Sequence, residues 1–423
     1  MRASGLRVLT VALLVLTSRT SPAADFTIDR VTADLNLPAD AAARLRHGEM
    51  VHSDPKESSD RELGVDLTFL VQGPLDEVLQ AFRAAVDLKA DPQLAASVPI
   101  RGPGTPADFA ALVLEPGGVA EANRYLAASP GDTLNLSADE IRAFNALASA
   151  GGDAQPRVEE QLRQSLLARH RAYVERGLDG MAAYERRGGP FDPSAELRRA
   201  SQAALLLAQY APALQRLLLS YPEGKPAGLE EHFYWLRYDL DGRPNYTLRH
   251  RMAMAVGGFY ATADREFYVS HGYDTSQAFA GLVPVPEGTM IVYHSRVSTE
   301  QVAGFGSSVK KGIGRSVMAK QLTDIFDSSR LLAAEPLNSP FAATGRKRTM
   351  DTAYFSAFAA LAGPAISGLT SLRASWLTRR EQFRAQLVAH DAIIRKICIR
   401  TLSKKHQSCW PAPLTFSNCV QGL

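Results

Sequence analysis

The chain has 423 residues, 46% of them hydrophobic and 22% charged, with 31 Gly and 24 Pro. These values exclude a disordered, collagen-like or multi-span chain and fit two or three domains, or one large domain with additions. The net charge of +3 hides an asymmetry: from Arg346 onward 12 Lys/Arg face 3 Asp/Glu, which leaves 35 of the 47 basic and 41 of the 44 acidic residues to the body. A mildly acidic body with a basic tail argues against nucleic-acid binding by the body. All three cysteines (Cys398, Cys409, Cys419) lie in that tail, so the body holds no thiol nucleophile and no Cys-ligated metal.

Residues 1–23 read as a secretory signal peptide. Arg2 and Arg7 are followed by an apolar run from Val8 to Leu16, and Ser21 and Ala23 are the small residues before a cut. The mature protein is therefore expected in the periplasm or cell envelope. The body, 24–335, begins with a weak strand signal at Gly48–His52. A strong one follows, in which Val65, Leu67, Phe69 and Val71 alternate with Asp66, Thr68 and Leu70. Gly73-Pro74 stops that strand, and Leu75–Val86 reads as a short helix.

The segment 105–222 is expected to be a helical insertion. Ser137 and Glu140 form a capping-box pattern, and helices are predicted over Val158–Arg176 and Ala195–Leu219. From Glu230 the period changes to two. Strands are predicted at His232–Leu240, Asn245–Val256, Phe259–Val269, Ser276–Val283 and Thr289–Arg296, with turn signals at Asp241-Gly242 and Glu287-Gly288. Short links predict an antiparallel meander. From Ser298 the spacing of Val302, Val309, Ile313, Val317 and Ile325 predicts a long C-terminal helix to about Arg330.

Residues 336–349 read as a linker. The stretch Thr352–Leu372 is uncharged but rich in Ala, Ser and Gly, with Pro364 in its middle. Within 350–378 it is either a transmembrane helix or an Ala-rich surface or core helix, with arginines on both sides giving no orientation. Residues 379–423 form a basic tail with no evident fold.

Several motifs fail on their chemistry. Gly304–Gly312 lacks the spacing and the parallel strand that a phosphate loop needs, and it reads as a small-residue helix entry, with anion binding at Lys310 and Lys311 the lesser alternative. Asp239-x-Asp241-Gly242 has His250 where a calcium loop needs Glu. His232, His250, His271 and His294 fall on separate strands or strand ends without metal-ligand spacing, so no metal and no cofactor is expected. His250 shares a strand face with Tyr246, Leu248, Met252, Met254 and Val256. That face suits either core packing against the final helix or the lining of an apolar cavity, with His250 as a polar anchor.

The Pro74-Leu75-Asp76-Glu77-Val78 helix start after a strand, the meander and the closing strand-to-helix passage resemble a START-like helix-grip domain. The resemblance covers about 44–88 and 230–330. It implies an α+β fold in which a curved antiparallel sheet wraps a long C-terminal helix around an apolar cavity, here with a large helical insertion. Val302-Ala303-Gly304-Phe305-Gly306-Ser307-Ser308 also resembles an uncharacterised family of exported bacterial proteins. Residues 350–391, from Met350-Asp351-Thr352 to His390-Asp391, resemble the N-terminus of a small uncharacterised bacterial membrane-protein family, as a fusion or frameshift would produce.

The resulting expectation is a non-catalytic envelope protein that binds a lipid or other apolar small molecule between sheet and final helix. His250, Met252, Met254, Phe69 and Val292 are the candidate lining residues. The alternatives are a periplasmic enzyme on the same scaffold, or a membrane-associated module whose helical block holds a protein partner.

Overall fold

The structure is a computed structural model that describes residues 26–79 and 94–319, apart from short breaks at 116, 132–133, 150, 241–242, 305–306, 313–314 and 317–318. The signal-peptide, linker, Thr352–Leu372 and tail expectations lie outside the described residues. So do residues 80–86 of the first predicted helix and 320–330 of the last.

The fold is α+β, built on one eight-stranded antiparallel sheet. Its core is the meander β6 (Glu230–Leu240), β7 (Arg243–Val256), β8 (Phe259–Val269), β9 (Thr275–Val285) and β10 (Gly288–Ser298). Strand β2 (Glu62–Val71) pairs with β10, with the short β1 (Val51–Ser53) outside it. Strand β3 (Leu94–Ile100) pairs with β6 at the opposite edge, giving the order β1-β2-β10-β9-β8-β7-β6-β3. The three strands of this sheet that precede the meander thus flank it, β1 and β2 beyond β10 and β3 beyond β6.

The predicted meander strands all form, β8 with its predicted bounds and the other four extended by one or two residues at one or both ends, because period-two patterning and Gly-containing turns act locally. Gly288 shows why its turn needs glycine: φ is +146° and a Cβ would lie 2.3 Å from the Val71 carbonyl oxygen. Strand β3 is an addition to the predicted set. Its Leu-Ala-Ala-Ser-Val-Pro-Ile run alternates poorly, and Pro99 is tolerated at a sheet edge.

The insertion is mainly helical. It contains α3 (Gly118–Leu126), α4 (Ala138–Leu147) and α5 (Ala154–Arg176), then the small hairpin β4 (Tyr184–Arg186) and β5 (Gly189–Phe191). The hairpin was not expected there. The capping box is present: Glu140 N–H donates to Ser137 Oγ at 3.3 Å and Ser137 N–H to Glu140 Oε2 at 2.8 Å. The single helix predicted over Ala195–Leu219 is three: α6 (Pro193–Gln202), α7 (Leu205–Tyr210) and α8 (Pro212–Ser220). Pro212 cannot continue α7 because it has no N–H, and it opens α8 instead. Before β1, Ile28–Asp34 and Ala41–Arg46 form two short helices.

Both faces of the sheet are covered. The helical block packs on one, here the block face. Leu206 of α7 sits there over Gly281 of β9, 3.2 Å from where a Cβ would be. The other, the far face, packs Val78 of the helical turn 75–79, Val302, and Ala319 of the helical stretch that starts at Ser307.

Candidate functional site

Register and the two-residue side-chain period assign every strand residue to a face. On β7, Tyr246, Leu248, His250, Met252 and Met254 share the block-face core with Phe233, Trp235 and Val292. Phe69 belongs to the far-face core, opposite Ile291. The five expected lining residues are therefore split, four under the helical block and Phe69 on the other side. The Met252/Met254 face does not look toward the final helix. A strand's alternation states which residues share a face, but only the covering layers decide which face is which.

His250 is fully buried and wired into that interface. Arg265 Nη1 donates to the Tyr173 hydroxyl at 3.2 Å, and that hydroxyl shares a hydrogen bond of 3.1 Å with His250 Nδ1. The remaining imidazole nitrogen faces Glu231 Oε2 at 3.7 Å, and Glu231 also accepts from Lys225 Nζ at 3.0 Å. Burial pushes the His250 pKa down to about 4 despite Glu231, so the ring is neutral at pH 7. Burial works against the Glu231 charge, but His250 and Lys225 hold its pKa at about 2. Tyr173 stacks on Phe267, with ring centroids 3.9 Å apart. A β-bulge opposite Leu248 and Arg249 makes this possible, since the extra residue turns both Phe267 and Tyr268 to the block face. This cluster fastens the block to the sheet. The other histidines stand apart: His271 bonds the Pro244 carbonyl and His294 bonds Asp66. Among the described residues no group of three His, Cys, Asp or Glu could hold a metal ion.

The far face divides in two. On its β2–β10–β9 side it is apolar, with Leu63, Val65, Leu67, Phe69, Leu282, Ile291 and Tyr293. On its β7–β8 side lie two cross-strand ion pairs, Arg251–Asp264 and Arg249–Glu266, all four residues buried. Arg251 binds Asp264 with two bonds, of 2.8 and 3.1 Å. Arg249 Nη2 donates to Glu266 Oε1 at 2.7 Å and to the Tyr238 hydroxyl at 2.9 Å, and Tyr273 donates to Glu266 Oε2 at 2.8 Å. Burial opposes the Arg249 charge, but Tyr238, Glu266 and Asp264 raise its pKa above the ordinary value. Next to Glu266 on β9 is Ser276, and the register continues from β8 through β9 to β10 as Asp264, Ala278, Ser295 and as Thr262, Ala280, Tyr293. Among the described residues, two buried atoms of this row, Arg249 Nε and Ser276 Oγ, have no hydrogen-bond partner. Burying four charges beside an apolar strip costs several kcal/mol per ion before pairing offsets it. Both carboxylates are bound to arginines, so the row is a set of paired hydrogen bonds.

Sequence reasoning missed this row. Arg249 and Arg251 alternate with His250 and Met252, a pattern that reads as a solvent face until the sheet is known to be covered on both sides.

A separate open cleft of about 510 Å³ lies between the loop 58–61, the β4–β5 hairpin and α6. Its polar groups are partly self-paired: Ser59 Oγ donates to Glu196 Oε2 at 2.8 Å, Arg199 binds Glu196, and Arg61 lies over the Phe191 ring at 4.7 Å. Nearby, Arg186 binds buried Asp274 at 2.8 Å, and burial raises the Asp274 pKa to about 6 against the pull of Arg186. Lys311, an alternative anion ligand from the sequence, donates to Glu57 Oε2 at 2.7 Å and to the Ser59 carbonyl, while Lys310 donates to the Ala303 carbonyl.

No protein-family model, no curated protein and no solved structure matches the chain. Among the described residues no helix is long and apolar enough to cross a membrane.

Proposed function

We propose that the body is a helix-grip domain of START-like order that binds an amphipathic, lipid-like small molecule between the far face and the final helix, in an exported, non-catalytic protein of the cell envelope. The strand order supports the scaffold, with β2 beside the last meander strand and β3 beside the first. So does the helical stretch from Ser307, which packs Ala319 onto the far face. The export pattern of residues 1–23 supports the location.

The observation that carries the reading is the division of one covered sheet face into an apolar strip and a buried polar row. Four buried charges beside leucines and valines are costly for packing alone, whereas an amphiphile uses both halves. Apolar burial at about 25 cal/mol per Å² supplies affinity for the tail, and the polar row orients the head. The ligand-lining residues in this reading are Leu67, Phe69, Ala280 and Ile291 for the tail, and Arg249, Glu266 and Ser276 for the head.

Native mass spectrometry with organic extraction, on the full chain purified from an envelope fraction, tests it. A co-purifying amphiphile is expected, and Ala280→Phe, which enlarges a buried side chain of the far face, is expected to lose it while remaining folded. A clean spectrum with no uptake from a mixed panel of single-chain and two-chain lipids overturns the reading.

A further inference from the structure

The open cleft of about 510 Å³ between the loop 58–61, the β4–β5 hairpin and α6 has the size of a small-molecule site. Pro190, Phe191 and Ala195 give it an apolar wall. Of its charged groups, Glu196 is already engaged by Ser59 Oγ and Arg199. Arg61 is not. Its guanidinium lies over the Phe191 ring, 4.7 Å from the centroid. Its Nη1 stands 3.8 Å from Asp274 Oδ2 and its Nη2 3.8 Å from Glu300 Oε1, both beyond hydrogen-bond range. Asp274 is bound instead to Arg186 at 2.8 Å, and Glu300 is half exposed. The Arg61 backbone is fixed on both sides: its N–H donates to Ser59 Oγ at 3.3 Å, and its carbonyl accepts from Thr299 N–H at 2.9 Å. The guanidinium is thus held in place with N–H groups to spare. That is the arrangement that receives a carboxylate, because the planar fork matches two carboxylate oxygens. A simple anion would also meet Asp60 and Asp192, two exposed carboxylates of the same cleft. Asp192 Oδ1 accepts from Ser194 N–H at 2.9 Å at the start of α6, and among the described residues Asp60 forms no ion pair. A molecule with one negative and one positive end satisfies both kinds of group, and the apolar wall takes a hydrocarbon side chain.

We propose that this cleft is a second binding site, for a small zwitterion of the amino-acid class with an apolar side chain. Its carboxylate binds Arg61, its ammonium faces Asp60 and Asp192, and its side chain lies along Pro190, Phe191 and Ala195. The site is separate from the far face, so it stands or falls independently of the amphiphile reading. Selection comes from the pairing of opposite charges at the two ends of the ligand. A ligand lacking the carboxylate leaves Arg61 unused, and one lacking the ammonium brings a bare negative charge to a cleft with two exposed carboxylates.

The experiment screens the common L-amino acids against the full-length protein at pH 7.5 by thermal shift, and measures the best binder by isothermal titration. An apolar member such as leucine is expected to bind. Leucinamide, which lacks the carboxylate, and N-acetyl-leucine, which lacks the ammonium, are each expected to bind about tenfold more weakly or worse. Arg61→Gln is expected to weaken leucine to the level of leucinamide. Ala195→Trp fills the cleft from α6 with every charge left in place, and it is expected to abolish binding; it also serves if Arg61→Gln fails to fold. Asp60→Asn is expected to narrow the gap between leucine and N-acetyl-leucine. No binding by any amino acid, with the protein folded, overturns the proposal. So does binding that survives Ala195→Trp unchanged, because the ligand then sits elsewhere. Equal binding of leucine and N-acetyl-leucine by the parent protein overturns the zwitterion assignment.

Discussion

The two faces of the sheet bury the same kind of residue for different ends. On the block face, Arg265 donates to Gln277 Oε1, the Tyr173 hydroxyl, Ser201 Oγ and the Leu218 carbonyl, reaching α5, α6 and α8. On the far face, Arg249 and Arg251 are answered by Glu266 and Asp264 of the neighbouring strand, and Arg249 also by the Tyr238 hydroxyl of β6. The first arginine is a rivet between layers. The other two belong to the sheet itself and leave hydrogen-bonding capacity open. A buried arginine is thus not one signal: what matters is whether its partners come from the layer above it.

The largest effect that would sharpen this contrast is on stability of the block face. Arg265→Met removes the donor from four buried acceptors, of which Ser201 Oγ keeps another in Gln277 Nε2, and is expected to cost about 4 kcal/mol or more in urea unfolding. Hydrogen exchange should speed up first across 173–220 rather than in the meander. Uniform loosening of both regions would break the distinction.

Acid provides the next test. The pKa values of His250 and His271 are lowered by burial from 6.5 to about 4 and about 3, so the unfolded chain takes up these protons first as pH falls. Their contribution is fully present above pH 6.5 and is lost as pH drops through 4 and then 3, on the order of 3 kcal/mol by pH 4 for His250 alone. Asp274 works in the opposite sense: with a pKa raised from 3.8 to about 6, its protonation favours the folded state as pH falls from 6 to 3.8. Asp274→Asn should therefore lose stability more steeply on acidification than the parent, as read from melting temperatures between pH 7.5 and 4. A shallower loss in that variant would show that Asp274 is already ionised at low pH.

Gly281→Ala brings a methyl group 3.2 Å from Leu206 and is expected to cost about 1–2 kcal/mol. The smallest effect on stability is expected on the far face. Replacing the whole pair, Arg251→Met with Asp264→Leu, should change unfolding by no more than about 1 kcal/mol, because a buried pair often breaks even against apolar residues. A loss of several kcal/mol would return the pair to a structural role.

Much of this architecture is legible in the sequence. The meander, strand β2 and the capping box at Ser137 depend on local rules, namely side-chain alternation, turn chemistry and helix-end hydrogen bonding. The breaks in the predicted 195–219 helix were half visible, since Pro212 marks one of them. Strand β3 was hidden because its sequence alternates poorly and its strand state comes from pairing with β6 across more than a hundred residues. The far-face polar row was hidden for a related reason. Arg249 and Glu266 are paired by the β7–β8 hairpin register, but that the face they share is covered depends on segments far away in the chain.

By itself, then, the sequence determined the α+β class, the five-strand meander, the insertion and the grouping of His250, Met252 and Met254 on one strand face. Only the tertiary structure decided that this face lies under the helical block, that Phe69 looks the other way, and that Arg249, Arg251, Asp264 and Glu266 meet beside an apolar strip. Periodicity is written in neighbouring residues and acts over a few ångströms of chain. Which layer covers a face is settled by chain segments far apart in sequence, through the burial of both faces at once.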